Sequence, residues 1–389
     1  MFSTRLPAAL APNAISRARA SLRARGIRLI DLTETNPTAI GLSYPADLLA
    51  PLASADGRRY APDSLGLPAA REAVARDYAR SGIAIRADQV MLTASTSEAY
   101  ALLFKLLCNP DDEVLVPQPS YPLFESLTAL EAVRARPYRL DQHGHWSIDR
   151  QSVLDSLNDS TRAVLVVSPN NPTGSLLRHD DREWLVALAA DRHIAIVSDE
   201  VFADYPLRPA AHASSCLGET RALTFTLGGL SKSAGLPQVK LGWIVVSGPA
   251  DAAEEALERL AIIGDAYLSV STPVQVAAPE LIASGVAIRA QIQSRLETNL
   301  ACLERLVSAQ PSVSLLSPEG GWSVVLRVPA TESEESLVLR LLNESHVIVH
   351  PGFFFDFETE AYLVVSLLPA PDEFRNGTEQ LLRQLTTHN

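Results

Sequence analysis

Lys232 stands in the run Leu230-Ser231-Lys232-Ser233-Ala234-Gly235-Leu236, among small, uncharged side chains that are unusual around a solvated lysine. Burial weakens a lysine's hold on its proton, and the freed amine can attack a carbonyl to form a Schiff base. Upstream, Ser198-Asp199-Glu200 closes an apolar run. An acid there either caps a helix or, once buried, holds a proton on a basic ring nitrogen. Further upstream, Ser168-Pro169-Asn170-Asn171-Pro172-Thr173-Gly174 follows another apolar run. Asn, Pro and Gly are turn formers, so this stretch reads as a turn before a helix. Taken whole, it is a rigid proline-bracketed turn that sets the Asn171 amide at a strand end, ready to donate into a pocket.

These segments need a frame that brings strand ends together. Short apolar runs at residues 89–93, 113–117, 163–167, 194–198, 223–227 and 242–246 alternate with helical stretches such as 180–191 and 251–263. Their β-branched, unalternating character predicts strands covered on both faces, hence a mostly parallel sheet flanked by helices. Open sheets of this kind take ligands just beyond the carboxyl ends of their strands, where all three chemical segments fall. After about Pro279 the pattern changes to one long amphipathic helix, then strands near 322–328 and 362–367, a smaller α/β domain. Residues 27–32 supply a strand to that smaller domain. The expected division is 1–44 as N-terminal arm and part of the small domain, 45–278 as a large cofactor-binding domain, and 279–389 as the small domain.

An N-P-T-G turn, an S-D-E strand end and an S-K-x-x-G-L loop, in this order and spacing, resemble the class I/II aminotransferase family of fold-type I pyridoxal-phosphate enzymes. The likeness runs from roughly Ile30 to Ser366. It implies pyridoxal 5'-phosphate as cofactor and an α/β fold with a large, mostly parallel sheet and a smaller α/β domain. It also implies transfer of an amino group between an amino donor and a 2-oxo acid. By the same resemblance Lys232 forms the internal aldimine and then moves a proton, and Asp199 pairs with the pyridinium nitrogen. Asn171 donates to the ring phenolate oxygen, and Tyr121, in P-S-Y-P-L-F, stacks on the ring. Thr96 and Ser97, in T-A-S-T-S-E-A-Y, open a helix whose free N–H groups suit a phosphate. Ser231 and Lys240 complete that cradle, and Tyr60 matches a tyrosine that reaches the phosphate of a neighbouring subunit, which implies a homodimer.

The departures carry information too. Relatives usually have glycine where Ser95 stands, arginine where Lys240 stands, tyrosine where Phe202 stands and a hydroxyl residue where Gly229 stands. Lys240 replaces a bidentate fork by a point charge. Most consequential, Val364, in Y-L-V-V-S, occupies the place of the arginine that usually holds the substrate's α-carboxylate. Either another cation takes over, with Arg327 and Arg375 as candidates, or the substrate lacks that carboxylate. A pyridoxal-phosphate lyase or other eliminating enzyme on the same scaffold is therefore the alternative. A cofactor-sensing half of a transcription regulator is a further one, although only about thirty residues precede the enzyme-like part.

Composition narrows the partners. Lys and Arg total 33 against 45 Asp and Glu, a net charge of −12 that disfavours phosphate backbones, so no nucleic-acid partner is expected. Cys108, Cys216 and Cys302 form no C-x-x-C, which fits a reducing cytoplasm and no disulfide framework. No apolar run approaches the ~18–20 residues of a membrane span. Arg5, Arg17, Arg19, Arg23, Arg25 and Arg28 precede the first acid, a pattern shared by transit peptides and by an exposed basic helix. His143 and His145 lie in a polar turn without acids at ligand spacing, so no metal site is expected.

Overall fold

Strands whose residues are buried on both faces need helices on both sides, and this chain provides them. The computed structural model describes residues 2–7 and 10–386. Its strands begin with β1 (Ile30–Asp31), β2 (Val90–Thr93), β3 (Glu113–Gln118), β4 (Arg134–Gln142) and β5 (Trp146–Ile148). They continue with β6 (Thr161–Val167), β7 (Ala195–Asp199), β8 (Thr224–Gly229) and β9 (Gly242–Ser247). The last part adds β10 (Ser314–Leu316), β11 (Ser323–Arg327), β12 (Val347–Ile348), β13 (His350–Pro351) and β14 (Tyr362–Ser366).

One eight-stranded sheet has the order β2-β9-β8-β7-β6-β3-β4-β5. Its centre, β8 through β4, is parallel, and β9 runs against both neighbours. Alternate residues of β6 enter opposite cores. Ala163, Leu165 and Val167 pack with Phe104, Val197 and Phe225, while Val164 and Val166 pack with Leu115, Leu185 and Ile196. Each Val, Leu, Ile or Phe among them contributes about 1.5–3 kcal/mol by leaving water, so this layering fixes where β6, β7 and β8 end. All six apolar runs expected as strands are strands of this sheet. The hairpin β4–β5 was not among them, because β5 is the edge strand and covers only residues 140–142 of β4, whose remaining length carries exposed charged residues such as Arg134 and Arg136 and lacks an apolar signature.

A second sheet, β10-β11-β14-β13, is antiparallel. Val324, Leu326, Leu363 and Val365 turn to the largest core, and Val325 and Val364 turn to the other face. The segment expected as a strand over residues 27–32 narrows to β1, which pairs in parallel with β12 and so ties the N-terminal arm to the C-terminal part. The long helix begins earlier than expected, at Thr272, and runs to Ser308 with Pro279 inside it. Proline removes one helical hydrogen bond. Here Ala277, Ala278, Leu281 and Ile282 press both sides of that position into the core and hold the helix together.

Candidate active site

Gly228 and Gly229 end β8, and the chain turns at once into the short helix Leu230–Ser233. Two side chains pin that turn. The Tyr205 hydroxyl donates to the Lys232 carbonyl at 2.6 Å, and Arg289 Nε donates to the Ser233 carbonyl at 2.8 Å. Arg289 itself lies between Asp204 at 3.2 Å and Asp77 at 3.6 Å. The long helix passes so close that a Cβ on Gly285 would sit 2.5 Å from Ala234 Cβ. Held this way, Lys232 Nζ lies 4.9 Å from the Trp322 ring centre and 5.5 Å from that of Phe202. Burial among these rings pushes the lysine pKa down to about 8, against the opposing pull of Asp199.

Asp199 ends β7. Its Oδ2 accepts the Tyr100 hydroxyl at 2.9 Å, and its Oδ1 accepts the Val201 N–H at 3.2 Å. Burial raises its pKa, while the Val201 N–H, the Tyr100 hydroxyl and Lys232 all favour the carboxylate. Tyr121 is within electrostatic reach, since the Asp199 charge adds to burial in raising the pKa of its phenol. Behind this pair, Glu200 accepts Ser198 Oγ, Ser215 Oγ and the Cys216 N–H, so it anchors the strand end and leaves Asp199 as the acid facing the lysine.

The Asn-Pro turn divides its labour between two asparagines. Asn170 is buried: its Oδ1 accepts Thr173 Oγ1 at 3.0 Å and its Nδ2 donates to Ser120 Oγ at 3.3 Å. Asn171 has no side-chain hydrogen bond to another described residue, which leaves its amide available. The peptide bonds Gln118–Pro119, Ser168–Pro169 and Asn171–Pro172 are cis. Gly174 O accepts the N–H groups of Glu319 and Gly320, which ties this turn to the segment leading to Trp322.

Thr96 and Ser97 are the first two residues of the helix Thr96–Leu107, whose leading N–H groups lack helical partners. Ser95 caps this helix by accepting the Glu98 N–H at 3.2 Å, and the Glu98 carboxylate accepts the Ala94 N–H at 2.6 Å. Ser95 lies at φ −170°, extended backbone open to any residue, so serine in place of glycine costs no strain. Gly242 lets β9 approach: a Cβ there would lie 3.1 Å from the Thr96 nitrogen. Ser231 is partly buried beside Lys232, and Lys240 is exposed with no ion pair among the described residues. Tyr60, 74% exposed, lines a cavity of ≈ 370 Å³ together with Glu98, Met91 and Tyr267. That cavity abuts the Thr96 helix, but its lining includes neither Lys232 nor Asp199.

The sequence model of aminotransferase class I and II matches residues 36–375. The chain belongs to that family. It is 27% identical to the glutamate-pyruvate aminotransferase AlaA of Haemophilus influenzae, over 94% of this chain and 93% of the relative. It is likewise 27% identical to an alanine aminotransferase of Mycobacterium tuberculosis, over 93% and 86%. Among solved structures, an alanine aminotransferase from Pyrococcus furiosus superposes with a TM-score of 0.88 at 26% identity, over the full length of both chains.

As a family member the protein is a pyridoxal-phosphate-dependent transaminase that moves an amino group between an amino acid and a 2-oxo acid. The side chains present fit that cofactor. A weakly basic amine faces a buried carboxylate, a helix N-terminus with unpartnered N–H groups lies beside a glycine cleared for close approach, and Asn171 holds a free amide.

Sequence reasoning missed several residues that shape this aminotransferase site. Tyr100 lay inside the quoted T-A-S-T-S-E-A-Y segment, four residues after Thr96, and thus on the helix face over Thr96. Trp322 follows Gly320-Gly321, a sign of close backbone approach before an aromatic. Tyr205 and Arg289 act on the lysine turn through its backbone carbonyls, contacts that leave no motif.

The substrate side differs from the family pattern. Val364 is 2% exposed and packs with Val325 and Phe355, so position 364 itself supplies no cation. Of the two candidate replacements, Arg375 pairs with Asp372 on the C-terminal helix, and Arg327 is exposed at the outer end of β11 opposite Tyr362.

Proposed function

We propose that Lys232, Asp199, Asn171, Tyr121, Thr96, Ser97, Ser231 and Lys240 form the cofactor and reaction site of this transaminase. The observation that carries the reading is the Lys232 amine, its pKa brought to about 8 by burial between Trp322 and Phe202 and set against Asp199. When bound, pyridoxal 5'-phosphate supplies an aldehyde for an amine and a ring that withdraws electrons from the substrate's Cα. Lys232 Nζ accepts a proton from that carbon and returns one, a role its lowered pKa matches near neutral pH. Asp199, steadied by Tyr100 and the Val201 N–H, keeps the ring nitrogen protonated. Asn171 donates to the ring oxygen, Tyr121 covers the ring face, and the first N–H groups of the Thr96 helix hold phosphate with Ser231 and Lys240. Trp322 and Phe202 keep water from the amine.

The names of the relatives support alanine or glutamate as amino donor and pyruvate among the acceptors. Mixing the holoenzyme with a panel of amino acids and following its absorbance tests this. Complete conversion of the cofactor to its amine form without added oxo acid supports transamination. Release of ammonia, with the oxo acid formed in a single turnover and the cofactor unchanged, contradicts it and favours elimination.

The working unit is a cytoplasmic homodimer in which Tyr60 of one protomer reaches the phosphate held by the other. Its support is the exposed phenol at the rim of a cavity that shares Glu98 with the phosphate-binding helix. Sedimentation of active enzyme should give only dimers, and an active monomer removes Tyr60 from the site. The divisions at 1–44, 45–278 and 279–389 are the three functional pieces, with the helix Thr272–Ser308 running through the last boundary. Among the described residues no helix is long and apolar enough to cross a membrane.

A further inference from the structure

We propose that His350 receives the substrate's α-carboxylate in place of the missing arginine, a specificity-determining role that rests on the transaminase reading of this site. β13 pairs antiparallel with β14, and His350 stands directly opposite Val364. Opposite residues of such a pair project from one face with Cβ atoms about 4.5–5.5 Å apart, so an imidazole at 350 reaches the space that a side chain at 364 commands. The turn that follows β13, Gly352–Phe355, brings this strand against the segment that carries Tyr121. The Ser120 N–H donates to the Phe355 carbonyl at 3.0 Å, and Gln118 Nε2 donates to the Asp356 carbonyl at 2.8 Å, next to Tyr121.

The ring is held but not satisfied. Phe354 and Phe355 each lie 5.8 Å from it, centre to centre, and it makes no hydrogen bond to another described residue. Arg19, the cation that reaches His350, and Arg289 and Arg295 of the long helix are all engaged. Arg19 pairs with Asp31 at 3.0 Å, Arg289 with Asp204 and Asp77, and Arg295 donates to the carbonyls of Ile40 and Leu368. A carboxylate lying along this face thus meets one unpartnered nitrogen base, His350.

The charges around that base set its behaviour. Burial lowers its pKa, Arg19 on the N-terminal helix lowers it further, and Asp31 on β1 opposes both. Glu334, on the helix packed against β13, is turned away to accept the Phe353 and Tyr362 N–H groups, and Asp356 faces Glu125. Free His350 is therefore largely neutral at pH 7. A carboxylate beside it favours the imidazolium, so substrate binding takes up a proton, which an arginine never does. Half-saturation should rise with pH by up to about tenfold per unit above the histidine's pKa in the free enzyme.

The test follows the half-reaction of the holoenzyme from pH 5.5 to 8.5 with L-alanine, L-glutamate and other α-amino acids, and carries forward the best donor. At pH 6, His350→Gln should raise half-saturation roughly tenfold or more, the loss expected for a charged hydrogen bond. It should also flatten the pH slope relative to wild type, with the saturated rate within about threefold. His350→Arg should restore low half-saturation and make it independent of pH. Wild-type half-saturation and wild-type slope in His350→Gln overturn the proposal alone. A wild-type enzyme that converts no α-amino acid overturns the transaminase reading and the proposal with it.

Discussion

Two surfaces meet at the lysine, the carboxyl ends of β6, β7 and β8 and the sheet β10-β11-β14-β13 with the segments that flank its strands. Contacts between them are direct: Trp322 lies over Lys232, Phe355 accepts from Ser120, and Gly321 donates to the Tyr205 carbonyl. On the first surface much of the polar framework is held, while the Asn171 amide is left available. Asp199 has two donors, the lysine turn is clamped by Tyr205 and Arg289, and the Asn-Pro turn is knit by Asn170. On the second, Val325, Val364 and Phe355 close an apolar cluster bordered by Phe354 and Tyr362, and His350 stands opposite Val364. The cofactor is one fixed molecule and demands a fixed set of partners. Substrates vary. A departure on the cofactor surface such as Lys240 for arginine keeps a group there, whereas Val364 removes the substrate-side cation outright.

The contrast can be broken from either side. On the cofactor surface, Asp199→Asn should slow turnover by about a hundredfold or more, since a buried charge aimed at the ring is removed. Single-turnover rates measure it, and a near-wild-type rate would mean that the ring nitrogen has another partner. On the substrate surface, Val364→Arg should lower stability by about 3 kcal/mol or more, because an unpaired charge enters an apolar cluster. Thermal unfolding reads this out. Wild-type stability with tighter amino-acid binding would show that a cation at position 364 finds its partner in the substrate and would make that position, not His350, the seat of the carboxylate. A smaller effect is expected of Tyr205→Phe, which frees the Lys232 carbonyl. One buried hydrogen bond contributes about 1 kcal/mol, so kcat should fall by at most about tenfold while KM stays put.

The sequence made the first surface legible and left the second half-read. Lysine, aspartate and asparagine sit at the ends of apolar runs, and a strand end is where a parallel sheet must place its chemistry. The same logic located the six central strands, yet it passed over β4, whose charged edge carries no apolar pattern. Phe202 was recognised as a departure from the family pattern, and its nearness to the lysine, 5.5 Å from ring centre to Nζ, came only from the structure. Val364 was recognised as a departure, but its compensation was sought among arginines along the chain. His350 stands opposite Val364 only through the register of β13 against β14, a pairing between residues distant in sequence. Tyr205 and Arg289 were missed for a related reason: they act on backbone atoms, and any residue at 232 or 233 would present the same carbonyl.

The central claim is that Lys232 is the amine that carries the cofactor. Borohydride reduction of the holoenzyme, followed by peptide mapping, tests it directly. The label is expected on the peptide holding Lys232, and cofactor capture by the cofactor-free protein should accelerate as pH rises through about 8, where that amine loses its proton. A label on Lys105 or Lys240 would contradict the assignment.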